Sequence, residues 1–212
     1  ADLGFAIGPR INASGRLKDI SLGIECLLCE DFEAAERLAR ELDAINHERQ
    51  SMQADMQQQA LDALPNQPFD GPSIVVFSEA WHEGIVGLLA SKLKDQFNRP
   101  VLALAPSADG ELLRGSGRSI PGLHLRDALD WISKQSPQTL VRFGGHAMAA
   151  GFSIRRDSLP DLERLFASAV SAMTDPEQLE AMIWTDGPLD PSWLREDWIQ
   201  SIHDAIWGQG FP

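Results

Sequence analysis

The sequence predicts an α/β protein in which a long N-terminal connecting helix precedes a domain built on a mixed, partly parallel β-sheet flanked by helices. Two observations lead to this prediction. The stretch from Asp31 to Leu64 contains no proline or glycine and has apolar residues at helical spacing. Residues 73–105 then have the pattern strand, helix, strand, which in α/β proteins gives two parallel strands joined by a right-handed crossover.

The long helix is predicted by its apolar spacing and by the residues at its two ends. Asp31 suits an N-cap, and Pro65 stops the pattern. At 1.5 Å per residue such a helix extends for about 50 Å. Its second half is mostly polar, so it either bridges two domains or lies along the surface of one. The apolar positions at helical spacing are Ala35, Leu38, Leu42, Ile45, Met52, Met56 and Ala60.

The region after the long helix is predicted to form the sheet and its flanking helices. Ser73–Ser78 and Val101–Ala105 are apolar enough for buried strands, with a helix at Gly84–Phe97 between them. The pair Asp109-Gly110 is a hairpin signal. The later predicted segments are a strand within 111–119, an amphipathic helix at 123–135, a glycine loop leading into a strand at 139–156 and an amphipathic helix at 160–173.

These patterns divide the chain into four parts. Residues 1–30 are predicted to be a loop followed by a short helix, 31–66 the long interdomain helix, and 67–175 the α/β domain. Residues 176–212 are rich in tryptophan, which either stacks on nucleic-acid bases or, as we favour, packs against further structure. The chain has no initiator Met and stops at GQGFP, so we expect it to be a piece of a longer polypeptide.

Composition restricts the class of protein. A net charge of −13 argues against a protein that coats nucleic acid, although it leaves room for a local site with a few arginines. The sequence has no apolar stretch long enough to span a membrane and no secretory signal at its start. Its two cysteines, Cys26 and Cys29, have no second pair to complete a zinc site, and we expect reduced thiols and a cytoplasmic location.

Three glycine-rich segments carry cationic, hydroxyl or imidazole side chains that suit an anion. Glycine lets backbone N–H groups approach phosphate oxygens, and arginine adds a planar, permanently charged fork. Each segment taken alone also fits an ordinary turn, and the alternative for His146 is a hydrogen-bonded position in the interior. The segments are 8–16 with Arg10 and Arg16, 114–119 with Ser116 and Arg118, and 143–151 with Gly144, Gly145 and His146.

His82 lies at a predicted strand-to-helix junction, where α/β proteins often bind ligands. It therefore either faces a substrate or stabilises the start of the helix. The sequence has no Walker A loop, no cluster of Asp and His suited to two metal ions, and no Ser-His-Asp arrangement. The residues of this sequence alone therefore do not form a complete catalytic site.

Several motifs resemble one known family. FGGHAMAAG resembles the GGHxxAAG motif of the DHHA1 domain, the second domain of the DHH phosphodiesterase superfamily. It is accompanied, in order, by GFAIGPRINASGRL, WHEGIVGLLASKL, GSGRSIPGLHLRDAL and WGQGFP. The first three of these motifs precede the DHHA1 motif, and the fourth follows it. The whole set resembles the RecJ single-strand-specific exonucleases over essentially the entire chain.

The resemblance implies a function and roles for individual residues. RecJ-like enzymes degrade single-stranded DNA from the 5′ end in recombination and repair, using two Mn²⁺ or Mg²⁺ ions held by a DHH domain whose ligands are absent from this sequence. The resemblance also implies a DHHA1-like domain after the connecting helix and an OB-like domain beyond residue 212. It further implies single-stranded DNA as the partner and single-strand-binding protein as a candidate partner. The implied phosphate-binding residues are Arg10, Arg16, His82, Ser116, Arg118, Gly144 and Gly145, with His146 facing the scissile phosphate as the catalytic residue.

Two other functions remain open at the level of sequence. One is a DHH-family phosphodiesterase for short oligonucleotides or cyclic dinucleotides, against which the RecJ-like flanking motifs count. The other is a non-catalytic nucleic-acid or protein-interaction module. The dependence of hydrolysis on substrate length separates the first of these from an exonuclease.

Overall fold

The computed structural model describes residues 2–64, 70–182 and 185–205. A helical N-terminal region is joined by a long helix to a five-stranded mixed sheet with helices on both faces. The predicted α/β fold class, with its long N-terminal helix and partly parallel sheet, is therefore confirmed. In the described part of the chain no helix is both long and apolar enough to cross a membrane.

The N-terminal residues are helical where the sequence predicted a loop. A π-helical stretch, Asp2–Ile7, leads into α1 (Gly8–Leu17), and the predicted short helix follows as α2 (Ser21–Leu28). The loop prediction was wrong because packing against the long helix outweighs the low helix propensity of glycine: Ala13 and Ser14 of α1 are buried. Proline in the first turn of α1 costs no hydrogen bond.

The long helix is α3, Phe32–Ala63, and its start is the predicted one. Asp31 caps it, since its Oδ1 accepts a hydrogen bond from the Ala34 N–H at 2.7 Å. Pro65, the predicted stop, lies outside the described residues. One part of α3 packs on α1 and α2, whereas Met56 and Ala60 belong to the core of the sheet domain, so the helix joins two packed regions.

The sheet has the strand order β1-β2-β3-β5-β4. β1 and β2 are parallel, as predicted, and the remaining neighbours are antiparallel. The predicted turn at Asp109-Gly110 joins β2 to β3, with Gly110 at a φ of 72°. The strands are β1 (Ile74–Phe77), β2 (Val101–Pro106), β3 (Leu113–Arg118), β4 (Arg142–Gly145) and β5 (Ala149–Ile154).

The predicted glycine loop before β5 is an error of the sequence analysis, because four of its residues form the edge strand β4. Gly144 pairs with Gly151 and Gly145 with Ala150. The backbone groups of β5 on this side need hydrogen-bond partners, and β4 supplies them despite its low strand propensity. The Gly-Gly-His motif therefore lies in and beside a hairpin and not in a free loop.

The two faces of the sheet are covered unequally. On one face, α5 (Leu125–Gln135) and α6 (Leu159–Met173) pack over side chains from all five strands. On the other face, α4 (Val86–Phe97) packs over β2 and β3, and the end of α3 shares a core with α4, β1 and β2. The side chains of β3, β5 and β4 that point to this second face are left exposed or half-buried.

The C-terminal part holds short helical turns and α7 (Glu196–Asp204). Trp193 and Trp198 contact each other edge to face, with ring centroids 5.0 Å apart, and both stay about half exposed. Trp184 and Trp207 lie outside the described residues. Whether these tryptophans stack on bases or pack on further structure stays a prediction.

Candidate functional site

The site is built on β3, whose residues alternate between the two faces of the sheet. Leu113, Gly115 and Gly117 are buried toward α5 and α6. Because successive side chains of a strand point to opposite faces, Arg114, Ser116 and Arg118 point to the incompletely covered face. The sequence GSGRS therefore serves the packing on one side of the strand and presents polar groups on the other.

Ser116 and Arg118 lie directly beneath the first turn of α4. The Arg118 Nη1 donates to the Ser116 Oγ at 3.1 Å and to the carbonyl oxygen of Gly117 at 2.8 Å. A Cβ on Gly87 would be 3.0 Å from the Ser116 Oγ and 3.2 Å from the Arg118 Nη2. Glycine at position 87 thus lets the positive end of the helix approach both donors, which is a suitable setting for an anion.

Arg16 reaches the same place from the end of α1. Its Nη1 donates to the carbonyl oxygen of Gly84 at 3.2 Å. A Cβ on Gly84 would be 2.2 Å from the carbonyl oxygen of Arg16, so only glycine permits this contact between the N-terminal region and the sheet domain. Burial lowers the pKa of Arg118, and the positive charge of Arg16 lowers it further, which places the two guanidinium groups within electrostatic reach of each other.

Arg49 on α3 is a third member of this cluster that the sequence analysis missed. Its side chain donates to the amide oxygens of Asn46 and Gln53, both at 2.9 Å. Its Nε is buried and has no hydrogen-bond partner among the described residues. Burial lowers the pKa of Arg49, and the charge of Arg16 lowers it further. The available signal was the spacing Asn-x-x-Arg-x-x-x-Gln, which places two amides beside one arginine on a helix.

The cluster of Arg16, Arg49 and Arg118 has an unusual charge balance. In the described part of the chain, none of the three forms an ion pair with a carboxylate. Arg16 is exposed, whereas Arg49 and Arg118 are partly buried. Partly buried cations without a counter-charge are costly, and such perturbed groups are concentrated at binding sites. In a chain with a net charge of −13, this arrangement favours a local anion site.

Arg10 and His82 have partners in the structure. The Arg10 Nε donates to the Asp43 Oδ1 at 2.8 Å, and this ion pair fastens α1 to α3. The His82 Nδ1 accepts a hydrogen bond from the Gly84 N–H at 3.0 Å, which holds the turn before α4. These contacts favour a supporting role for both residues, and direct phosphate contact by either one stays a prediction.

Gly144, Gly145 and His146 lie where β4 turns back into β5. The His146 N–H donates to the carbonyl oxygen of Ala149 at 2.8 Å, while the imidazole is exposed. Gly145 has a φ of 151°, and a Cβ there would be 2.4 Å from the Ala149 carbonyl oxygen, so the turn requires glycine.

The same turn places His146 at the Arg118 end of the sheet. Ala149 pairs with Arg118 of β3, so the turn and the cluster lie at one end of neighbouring strands. The Ser119 N–H also donates to the carbonyl oxygen of Met148 at 3.0 Å. Arg118 and His146 therefore lie at the same end of the sheet and not on unrelated surfaces.

The described residues do not offer a metal centre. Among them, no three His, Cys, Asp or Glu side chains are grouped so that they could hold an ion. What the cluster and the hairpin can do is bind, orient and partly neutralise a phosphate group.

Comparisons with known proteins agree with these features. Residues 70–172 match the family model of the DHHA1 domain. The single-stranded-DNA-specific exonucleases RecJ of Dickeya dadantii and Escherichia coli are 45% and 44% identical to the whole chain, which spans 38% and 37% of their lengths.

Solved structures give the same result. Crystal structures of RecJ from Thermus thermophilus, in complex with Mg²⁺ and with Mn²⁺, align with 82% of the chain at 28% identity. Their TM-scores are 0.72 and 0.73, and the chain covers 26% and 25% of those proteins. The chain therefore belongs to the RecJ family and contains the DHHA1 domain of that family.

Proposed function

We propose that this chain is the substrate-binding portion of a 5′-to-3′ exonuclease specific for single-stranded DNA. The support is the cluster of Arg16, Arg49 and Arg118, which lacks carboxylate partners in the described residues, together with relatives named as single-stranded-DNA-specific exonucleases. A site of this kind suits the terminal phosphate of a DNA strand, which carries more charge than an internal phosphodiester.

In this proposal the 5′-terminal phosphate lies between Arg16 and Arg118 and accepts a hydrogen bond from the Ser116 hydroxyl. Arginine forks bind phosphate oxygens in pairs, and the first turn of α4 adds a favourable dipole. Arg49, on α3, adds a third positive charge to this site. Arg10 and His82 keep α1 and the Gly84 turn in position through their bonds to Asp43 and the Gly84 N–H.

The scissile phosphodiester is proposed to lie beside the β4–β5 turn. Gly144 leaves room for it, Gly145 permits the tight turn beside it, and the exposed His146 imidazole donates a hydrogen bond to a phosphoryl oxygen. That bond would offset the charge that develops on the phosphoryl oxygens in the transition state. The Mg²⁺ or Mn²⁺ ions, which would activate the attacking water, would be bound by a part of the protein outside this chain.

The proposed setting follows from the same family. We place the protein in the cytoplasm, in the recombination and repair of DNA, with single-strand-binding protein as a candidate partner. The intact gene product, supplied with Mg²⁺ or Mn²⁺ and single strands labelled at either end, should release the 5′ label first as a mononucleotide. Release from the 3′ end, or internal cleavage only, would contradict the proposal.

The sharpest test of the phosphate site is Arg118→Ala in the intact protein. Hydrogen bonds to charged groups contribute about 1.5–3 kcal/mol, so kcat/KM on 5′-phosphorylated strands should fall roughly 10- to 150-fold. Strands with a 5′-hydroxyl should be affected far less. The matched control is Arg126→Ala, which removes an exposed arginine from α5 on the opposite side of the sheet. An unchanged ratio between the two kinds of end would remove the assignment of Arg118.

A further inference from the structure

A groove of about 530 Å³ lies on the incompletely covered face of the sheet, next to the proposed phosphate site. Its floor is made by β3, β5 and β4, and Arg114 and Arg142 are among the residues that line it. Neither arginine belongs to the cluster of Arg16, Arg49 and Arg118. The groove therefore extends the binding surface beyond the residues assigned so far.

Glycines in this sheet are of two kinds. A Cβ on Gly115 would be 2.1 Å from the Phe152 ring, and one on Gly117 would be 2.7 Å from a Leu102 methyl, so packing requires glycine at both positions. Among the described residues, a Cβ on Gly144 would have no neighbour within 4 Å, and one on Gly151 would meet only a carbonyl oxygen at 4.0 Å. Protein packing does not explain Gly144 and Gly151, whereas a ligand on the groove floor does.

The strand register places the two arginines opposite each other across this floor. Arg114 pairs with Ser153 of β5, and Ser153 pairs with Arg142 of β4. Two strand spacings separate the arginine backbones by about 10 Å. Arg114, Ser153 and Arg142 form one row across the three strands. This row lies two residues along the strands, about 6.6 Å, from the row that contains Ser116. That step is of the order of the distance between successive phosphates in an extended strand.

The positive charges of Arg114 and Arg142 are available to a ligand. Arg142 is exposed and has no ion pair or side-chain hydrogen bond within the described ranges. The Arg114 Nε lies 3.2 Å from the Glu83 Oε2, which leaves the other N–H groups of its fork for a second acceptor. Two forks facing each other across a glycine floor suit an internal phosphodiester.

We propose that Arg114 and Arg142 bind the phosphodiester that follows the scissile bond on its 3′ side. The inference rests on the proposed exonuclease function and names a second contact for the same substrate. The DNA strand then leaves the Arg118 end of β3, lies over Gly151 and Gly144, and continues toward Arg114. A dinucleotide is too short to reach this contact, whereas longer strands reach it.

The test is Arg142→Ala in the intact protein, with two 5′-phosphorylated substrates. One is a dinucleotide, which has only the scissile phosphodiester, and the other is a longer oligothymidylate. Loss of one exposed charge-assisted contact should raise KM for the longer substrate roughly five- to tenfold and leave the dinucleotide unchanged. With EDTA present to prevent hydrolysis, the slope of log affinity against log salt should decrease by about 0.7. Arg126→Ala is again the matched control.

A second variant keeps the test independent of charge. Gly151→Ala adds one methyl group to the groove floor without a close protein contact, so it should fold normally and lower the hydrolysis of the longer strand. If the parent hydrolyses neither substrate, the exonuclease function itself is wrong. If the parent hydrolyses both and the Arg142 and Gly151 variants match it on the longer strand, the groove inference is wrong and the exonuclease proposal survives.

Discussion

The two faces of the sheet differ in how closely they are packed, and the residues of β3 alternate between them. Toward α5 and α6, its residues Leu113, Gly115 and Gly117 meet a closed layer in which Leu102 and Phe166 have no exposed surface. Toward the other face, its alternate residues are charged or hydroxylic, and part of the surface above them is open. A period of two residues therefore separates the packed residues of this strand from those we propose to bind substrate.

Glycine has a different meaning on each of these faces. On the closed face, glycine is present because a methyl group would meet a neighbouring ring or methyl group. On the open face, Gly144 and Gly151 have space above them that no described protein atom fills. The same residue type thus reports dense packing on one side of the sheet and room for a ligand on the other.

The largest expected difference between the faces is in stability. Phe166→Ala empties a fully buried site in the closed layer and should lower the free energy of unfolding by about 3–5 kcal/mol. Arg142→Ala on the open face should change it by no more than about 0.5 kcal/mol. Urea unfolding of both variants, followed by circular dichroism, checks the contrast. Similar losses would mean that the open face is packed more closely than its exposure indicates.

Periodicity predicted most of the fold because it reports burial. The spacing of apolar residues gave α3, α4, α5 and α6, and short apolar runs gave β1 and β2. It failed where tertiary contacts outweigh local preference. α1 contains two glycines and a proline yet is helical, since α3 covers one side of it, and β4 is a strand because β5 needs a hydrogen-bonding partner.

The site was partly predictable for a different reason. Arg16, Ser116 and Arg118 were recognisable because glycine, arginine and serine occur together in short motifs. That they lie together follows from chain topology, which no local pattern contains. The spacing of Arg49 from Asn46 and Gln53 was a local signal, but its proximity to the charge of Arg16 and its buried Nε follow only from the folded structure.

A pair of glycine substitutions gives the next largest effect. Gly115→Ala should cost about 1–3 kcal/mol of stability, because its methyl group overlaps the Phe152 ring. Gly144→Ala should leave stability unchanged or raise it by about 0.5–1 kcal/mol, since alanine suits a strand better than glycine. Nuclease activity should nevertheless fall in Gly144→Ala. A stable Gly144 variant with full activity would show that this glycine does not make room for substrate.

The smallest expected effect tests the cluster on the open face. Inorganic phosphate that binds only the folded protein should stabilise it by about 1.4 kcal/mol at ten times the dissociation constant. Arg49→Gln should reduce this stabilisation, because it removes one of three like charges around the anion. Without phosphate the variant should be at least as stable as the parent, since repulsion from Arg16 is relieved. Thermal unfolding at constant ionic strength, with chloride replacing phosphate, measures both quantities. Arg164→Gln, on the exposed side of α6, is the matched control, and equal phosphate stabilisation in both variants would exclude Arg49 from the site.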